Sequence, residues 1–304
     1  MDGKKRMLFV INPKAGVAAV RENVLDIIGI YCRAGYDVST YVTEKRKDAT
    51  QYVTECGADY DIIVVCGGDG TMHEVADGIL NLDYDKRPPL GVMPGGSVND
   101  FASTLGMPDD LIECAKRICN GKVIYCDAGM VNEYRFIYCT AFGWFTEISF
   151  ETPQYLKNAI GNLAYALQGI KDFPSYRYRR IKVEYDDGTI EGDYAIGVVS
   201  NTTSIAGMRK LFDHVSELND GKLELMLIRF PNNIADFTTA MNIINQREKL
   251  DPEAIKGFGT LLKTSWARIT CESPTTWLAD GEDGGTHESA EIKVLKGALP
   301  VITN

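Results

Sequence analysis

A run of β-prone apolar residues leads directly into a glycine-rich turn early in the chain. Residues 62–74 read Ile-Ile-Val-Val-Cys-Gly-Gly-Asp-Gly-Thr-Met-His-Glu, and apolar residues at helical spacing follow. Glycine lets backbone amides approach an oxyanion because it has no Cβ, and the start of a helix supplies unpaired N–H groups. Asp69 adds a carboxylate, which favours a metal ion as the carrier of positive charge. The pattern predicts a phosphate site assisted by a cation.

Two better-known phosphate motifs do not occur. The sequence contains no Gly-x4-Gly-Lys-Ser/Thr, and His73 stands where the dinucleotide-binding fingerprint requires its third glycine. A tight strand-to-helix turn without a ligand is the plain alternative. We favour the phosphate site because other loops repeat the same theme.

Residues 1–125 alternate short apolar strands with segments of helical period, which is typical of a mainly parallel sheet with helices on both faces. The predicted strands are 7–11, 38–42, 62–66 and 90–93, and the predicted helices are 17–34, 49–56, 73–80, 98–105 and 111–120.

Four unusual loops each follow one of these strands. They cover residues 12–16, 43–45, 67–71 and 94–100. In a parallel sheet all of them reach the carboxyl edge, where open α/β sheets bind ligands. Agreement among four loops is stronger evidence for a ligand site at this edge than any single glycine turn.

The pattern changes after residue 125, where strands with turn signals take over and predict an antiparallel β-sandwich. After a predicted strand at 123–128, the strand-like runs are 136–142, 180–185, 195–201, 223–229, 266–271 and 276–278, with helical insertions at 154–171 and 234–249. We therefore expect an α/β domain at 1–125 and a β-sandwich domain at 126–290, with the active cleft between them. The segment 291–304 is expected to pack back on the first domain.

Composition narrows the classes of function. The 304 residues carry a formal net charge of −10, which argues against nucleic-acid binding. No apolar stretch approaches the ~18 residues of a membrane span. None of the eight cysteines forms a Cys-x-x-Cys pair, which favours core cysteines over zinc ligands or disulfides. These features predict a cytoplasmic protein.

An ordered set of motifs resembles the catalytic domain of the diacylglycerol kinase family, which includes soluble bacterial lipid kinases and sphingosine and ceramide kinases. The motifs run in family order from residue 12 to residue 282. They are Asn12-Pro-x-x-Gly16, Gly67-Gly-Asp-Gly-Thr71, Pro94-Gly-Gly-Ser-Val-Asn-Asp-Phe-Ala102, Asp127, Asn219-Asp-Gly-Lys-Leu-Glu224 and Asp280-Gly-Glu282.

This resemblance implies ATP-dependent, Mg2+-assisted phosphoryl transfer to a lipid hydroxyl. Glu282 would be the general base, and Asp69 would organise the catalytic magnesium and the phosphates. A second, structural magnesium network would involve Asp127, Glu217, Asp220 and the carbonyl of Lys222. The implied nucleotide contacts are Asn12, Pro13, Lys14, Ala15, Gly16, Thr43, Gly67, Gly68, Asp69, Gly70, Thr71, Met72, His73, Gly96, Ser97 and Asn99.

Some of these positions allow a plainer interpretation. Lys14 is equally well explained as a solvated loop lysine. Glu282 alone, within Asp-Gly-Glu-Asp-Gly, would be interpreted as a hairpin-turn acid, and only the resemblance makes it a base. Ser97 replaces the family's usual threonine but keeps the hydroxyl. Glu217 stands at a position where the family often has a shorter acid or a backbone ligand.

The lipid side is the least specific. Residues 142–145 and the apolar segment 155–167 could line an acyl-chain cleft, although a stripe at helical spacing is more often core. The expected partner is a lipid substrate met transiently at the membrane surface, and an uncovered sheet edge could make a homodimer. An NAD kinase and a non-catalytic regulator remain alternatives. Diacylglycerol, monoacylglycerol, phosphatidylglycerol, a polyprenol and a sphingoid base all remain open as acceptors.

Overall fold

The computed structural model describes residues 4–14, 17–143, 179–204, 217–229, 257 and 259–303. The chain divides into two compact units, Met1–Ala128 with Lys296–Asn304, and Gly129–Leu295. The predicted helical insertions at 154–171 and 234–249 lie outside the described residues.

The first unit is built on a parallel sheet with the strand order β14-β4-β3-β1-β2. These strands are β1 (Lys5–Ile11), β2 (Tyr36–Val42), β3 (Ile62–Gly67), β4 (Leu90–Pro94) and the last residues of β14 (Glu282–Thr303). Every residue of β3 is buried, as expected for a strand covered on both faces. That burial explains why β3 appears in the sequence as an uninterrupted apolar run.

The helices of this unit are α1 (Val17–Arg33), α2 (Asp48–Cys56), α3 (Asp69–Leu80), α4 (Asp100–Thr104) and α5 (Leu111–Asn120). The predicted α/β class is confirmed. One boundary was wrong: α3 begins at Asp69 and not at His73, because Gly68 is extended (φ −83°, ψ 179°) and already acts as the N-cap. Asp69 therefore lies in the first helical turn and not in a free loop.

The second unit consists of antiparallel strands in its described residues. They are the end of β5 (Lys122–Val131), β6 (Tyr134–Phe136), β7 (Cys139–Gly143), β8 (Arg179–Tyr185), β9 (Gly188–Tyr194), β10 (Ile196–Ser200), β11 (Leu223–Ile228), β12 (Gly259–Thr264), β13 (Trp266–Ala279) and the first part of β14. The predicted strand 136–142 is in fact β6 and β7, and the two predicted strands 266–271 and 276–278 are the two ends of β13.

β13 joins two parts of this sheet. Its first half pairs with β8, its second half pairs with β7, and a register shift separates them between Thr270 and Thr275. Side chains from both parts meet in one buried cluster that includes Ile269 and Trp277. Trp277 packs against Phe142 with ring centroids 4.2 Å apart. The antiparallel sandwich is thus confirmed.

No helix among the described ranges is long and apolar enough to cross a membrane.

Helices α2 and α3 pack closely because a glycine lies at their contact. A Cβ added to Gly78 would lie 2.7 Å from Cβ of Val53 and 3.0 Å from the carbonyl oxygen of Thr50. We expect Gly78→Ala to lower the free energy of unfolding by about 1–3 kcal/mol, because the helices must separate.

The matched control is Gly29→Ala in α1, where the nearest atoms belong to the flexible end of Arg33. That change should be neutral or stabilise by up to ~1 kcal/mol through helix propensity. Thermal and denaturant unfolding of both variants would measure the difference, and equal stability would contradict the packing argument.

Candidate active site

The glycine-rich stretch predicted as a phosphate site joins the most buried strand to a helix. Gly67 ends β3, Gly68 is the N-cap, and Asp69 opens α3. The first N–H groups of a helix have no partners within it, and they carry the positive end of the helix dipole. A Cβ added to Gly70 would meet no atom within 4 Å. The start of α3 therefore offers amides beside open space, which suits a phosphate group.

The loops after β3 and β4 contact each other backbone to backbone. The Gly95 amide donates to the Gly67 carbonyl at 2.8 Å. A Cβ on Gly95 would lie 2.9 Å from the Gly67 nitrogen, and a Cβ on Gly96 would lie 2.5 Å from Cα of Gly68. No side chain fits at this contact, so the glycines are required for the two loops to meet.

Asn99 fastens the second loop to the first. Its backbone is left-handed (φ 58°), and its side chain bonds Gly96 twice, with Oδ1 accepting the amide at 2.7 Å and Nδ2 donating to the carbonyl at 2.9 Å. Its own amide donates to Oδ2 of Asp69 at 2.9 Å. The predicted nucleotide contact Asn99 thus shapes the loop, whereas Ser97 is exposed at its tip.

Asn12 connects the first loop to α3. Its Nδ2 donates to Oγ1 of Thr71 at 2.8 Å, and its Oδ1 accepts the Lys14 amide at 2.9 Å. Pro13 and Lys14 form a turn beyond it, and Lys14 is exposed. Ala15 and Gly16 lie outside the described residues. The structure therefore brings together the predicted residues of the first, third and fourth loops.

Glu74 in α3, which the sequence analysis missed, holds the residues that follow the second loop. Glu74 accepts the amides of Lys47 at 2.8 Å and Ala49 at 3.2 Å, so it caps the start of α2. Thr43 is buried, and its amide donates to the Ile11 carbonyl at 2.9 Å. No local pattern indicated Glu74, because the amides that it caps belong to residues 25 and 27 positions earlier in the chain.

Two of the predicted contacts in α3 differ in exposure. Met72 is buried, and its amide donates within the helix to the Gly68 carbonyl at 3.0 Å. His73 is half-buried. Met72 thus packs in the core, and the amides at the start of the helix are better placed for a ligand than its side chain.

Glu282 follows a tight hairpin in the second unit. Ala279 of β13 pairs with Glu282 of β14, which leaves Asp280 and Gly281 as the two turn residues. Both have positive φ, 49° and 81°, as a type I′ hairpin turn requires. Glu282 is half-buried. The hairpin predicted from Asp-Gly is therefore present, and it presents the candidate base.

Asp127 is fully buried near the end of β5 within the first unit. Its Oδ1 accepts the amide of Gly297, a residue with φ of 56°, at 2.6 Å. This bond holds the C-terminal segment of that unit. Its predicted part in a metal network stays a prediction.

The other predicted ligands of the second magnesium have these contacts and exposures among the described residues. Oδ1 of Asp220 accepts the Lys222 amide at 2.9 Å, and its Oδ2 lies 2.6 Å from Nζ of Lys263. Glu217 is exposed. Across the described parts of the chain, no group of three or more His, Cys, Asp and Glu side chains could hold a metal ion.

A lysine lies beside these acids. Lys263 of β12 lies opposite Glu224 of β11, with Nζ 3.4 Å from Oε1 of that buried acid. Burial opposes the charge of Lys263, but the hydrogen bond to Asp220 and the charge of Glu224 outweigh it and raise the pKa of the lysine. Lys263 is a second residue that the sequence analysis missed, and the predicted metal role of Asp220 stays a prediction.

Comparisons with known proteins agree with these features. Residues 6–131 match the family model described as the diacylglycerol kinase catalytic domain. A diacylglycerol kinase of Bacillus subtilis (strain 168) is 33% identical over 283 residues, covering 92% of this chain and 91% of the relative. A diacylglycerol kinase of Staphylococcus saprophyticus is 33% identical over 246 residues, covering 81% and 79%.

Two solved crystal structures match this chain in fold. A crystal structure of a diacylglycerol kinase from Bacillus anthracis str. Sterne matches with a TM-score of 0.78 and 25% identity, covering 100% of this chain and 98% of that one. Another crystal structure from the same strain matches with a TM-score of 0.84 and 26% identity, covering 100% and 97%.

The Lys263 pair provides a stability test of the site in the second unit. We expect Lys263→Met to lower the free energy of unfolding by about 1–3 kcal/mol, because Asp220 loses a charged donor and Glu224 loses a counter-charge. The control is Lys182→Met, which removes an exposed lysine paired with Glu184. That change should lie within ~0.5 kcal/mol of wild type. Thermal unfolding would measure both, and equal effects would contradict the assigned role of Lys263.

Proposed function

We propose, because the chain belongs to the diacylglycerol kinase catalytic-domain family and is therefore a lipid kinase, that it phosphorylates diacylglycerol or a similar lipid alcohol. In this proposal ATP is the phosphate donor, Mg2+ assists, and phosphatidate or its analogue is the product. The first unit binds the nucleotide, and the second carries the base and the lipid site.

The observation that carries this proposal is the pair of joined glycine loops at the start of α3. Phosphoryl transfer needs positioning and charge neutralisation more than covalent chemistry. The open space at Gly70 and the amides that begin α3 suit the phosphates of ATP. Asp69 places a half-buried carboxylate in the same turn, an oxygen donor of the kind that Mg2+ prefers.

Each residue then has a distinct task. The α3 amides hold phosphate oxygens, and the Asn12–Thr71 and Asn99–Asp69 bonds keep the surrounding loops in place. When bound, Mg2+ neutralises phosphate charge. Glu282 takes the proton of the lipid hydroxyl as that oxygen attacks the γ-phosphate, and the bond between the γ-phosphorus and the bridging oxygen breaks to release ADP. Lys14 is proposed as a supplementary phosphate contact.

The second magnesium, which the family resemblance implies at Asp127, Glu217, Asp220 and the Lys222 carbonyl, stays a prediction. The Asp220 carboxylate already binds the Lys222 amide and the Lys263 ammonium. No step of the reaction is assigned to that position.

The acceptor site is assigned only to a class of substrate. Phe142 is buried against Trp277 and belongs to the core, which removes it from the predicted acyl-chain cleft. Of the other residues in that prediction, Gly143 ends β7, and 144–145 and 155–167 lie outside the described residues. We propose that the protein is cytoplasmic and contacts the membrane surface transiently, because its lipid alcohol is found there. Homodimer formation is a further hypothesis.

The deciding experiment supplies labelled ATP and Mg2+ with mixed micelles that each contain one lipid alcohol, and with NAD in a separate reaction. Label in phosphatidate would support diacylglycerol as the acceptor. Label in another lipid would keep the reaction and change the substrate. Label only in NADP, or ATP binding without any transfer, would overturn the proposal.

Glu282→Gln tests the base directly. Glutamine is nearly isosteric but cannot take a proton, so turnover should fall by about 10²–10⁴-fold while KM for ATP changes little. Steady-state kinetics with the lipid identified above would measure both constants. The control is Asp283→Asn, the exposed neighbour whose Oδ1 accepts the Gly285 amide at 2.9 Å. Unchanged turnover in Glu282→Gln would remove Glu282 as the base.

A further inference from the structure

The turn that precedes Glu282 contains an aspartate, Asp280, that is buried although a hairpin turn does not require it to be. Asp-Gly is a common pair for a two-residue hairpin because both residues tolerate positive φ. Hairpin turns normally lie at the surface, where the acid can be hydrated. Asp280 is only 3% exposed. Burying a charged carboxylate is costly unless hydrogen bonds compensate for the lost water.

Those hydrogen bonds come from three consecutive backbone amides. Oδ2 of Asp280 accepts the amide of Ile137 at 2.6 Å, and Oδ1 accepts the amides of Tyr138 at 3.0 Å and Cys139 at 2.9 Å. The Asp280 amide donates back to the Cys139 carbonyl at 2.8 Å. Hydrogen bonds to a charged acceptor are roughly twice as strong as neutral ones. The turn is therefore anchored to residues 137–139 by four bonds.

The anchoring segment is itself fixed by buried polar groups at the end of β10. The Tyr138 carbonyl accepts Oγ of Ser200 at 2.8 Å and the amide of Asn201 at 3.0 Å. The Ser200 hydroxyl also accepts the Thr202 amide at 3.0 Å. Ser200, Asn201 and Thr202 are all fully buried. A loop held in this way can act as a rigid support for Asp280.

The position of Glu282 depends on this support. Only Gly281 separates the two acids, and the paired residues Ala279 and Glu282 close the turn. If Asp280 released its amides, the turn could rotate about the glycine, and the half-buried Glu282 would lose its fixed direction. A base displaced by about 1 Å can lose much of its effect, because proton transfer requires hydrogen-bond reach.

We propose that Asp280 is a positioning residue that holds Glu282 in place through the amides of residues 137–139. This inference rests on the proposed function, in which Glu282 takes the proton of the lipid hydroxyl. Asp280 touches no reacting atom, and its effect on turnover passes through Glu282.

The test is a double-mutant cycle on lipid phosphorylation with Asp280→Asn and Glu282→Gln. Asparagine keeps the shape of Asp280 but replaces one acceptor oxygen by a donor group that faces amide donors. We expect Asp280→Asn to lower kcat by about 10–100-fold, with KM for ATP within about twofold of wild type. In the Glu282→Gln background the same change should cost less than about threefold, because no base is left to position.

The matched control is Asp186→Asn. Asp186 also accepts a backbone amide at a hairpin, from Ser265 at 2.6 Å, and its other oxygen accepts the Ser265 hydroxyl at 2.9 Å. That hairpin, between β8 and β9, carries no candidate catalytic residue. The control should lose stability without a specific loss of kcat.

The outcomes separate the inference from the proposed function. Normal turnover in Glu282→Gln would overturn both the base and the positioning role. Impaired Glu282→Gln with an equal, additive loss from Asp280→Asn would overturn the positioning role alone. If Asp280→Asn does not fold, Ser200→Ala takes its place in the cycle, because it weakens the support of residues 137–139 more gently. A smaller kcat loss that also disappears in the Glu282→Gln background would support the proposal, and an additive loss would overturn it.

Discussion

The first unit depends on a contact where two loops approach each other without side chains. Gly67 and Gly68 lie on one side, and a Cβ on Gly95 or Gly96 on the other side would collide with their backbone atoms. Because the backbones meet, Asn99 can donate its amide to Asp69, and that carboxylate is fixed at the start of α3. The direction of Asp69 thus depends on the missing side chains at Gly95 and Gly96.

The sequence was sufficient for the fold class because the apolar runs of β1, β3 and β4 coincide with buried strands. It was also sufficient to place the loops at one sheet edge, since parallel strands determine where loops emerge. It was not sufficient for β13, whose polar interruption between Thr270 and Thr275 is a register shift inside one strand. A local pattern cannot distinguish an irregular strand from two short strands.

The residues that escaped prediction act across long sequence separations. Glu74 caps a helix that begins 26 positions earlier, at Asp48, and Lys263 meets Asp220 only because β11 and β12 pair. The ammonium group beside Asp220 is visible only once the strands are paired, because the acid motif that the family resemblance assigns to a metal does not include that lysine.

Carboxylates in this chain therefore differ by their donors more than by their motifs. Asp280 is satisfied by three amides, Asp220 by one amide and a lysine, and Asp127 accepts one amide from the C-terminal segment. A carboxylate held by amides keeps its direction without adding a mobile cation, which suits a group that must support a neighbouring base.

Phosphoryl transfer requires phosphate charge to be neutralised and a hydroxyl proton to be accepted. In the proposed mechanism the amides of α3 meet the first requirement and Glu282 meets the second. Because different backbone supports hold these groups, nucleotide affinity and turnover can be altered separately.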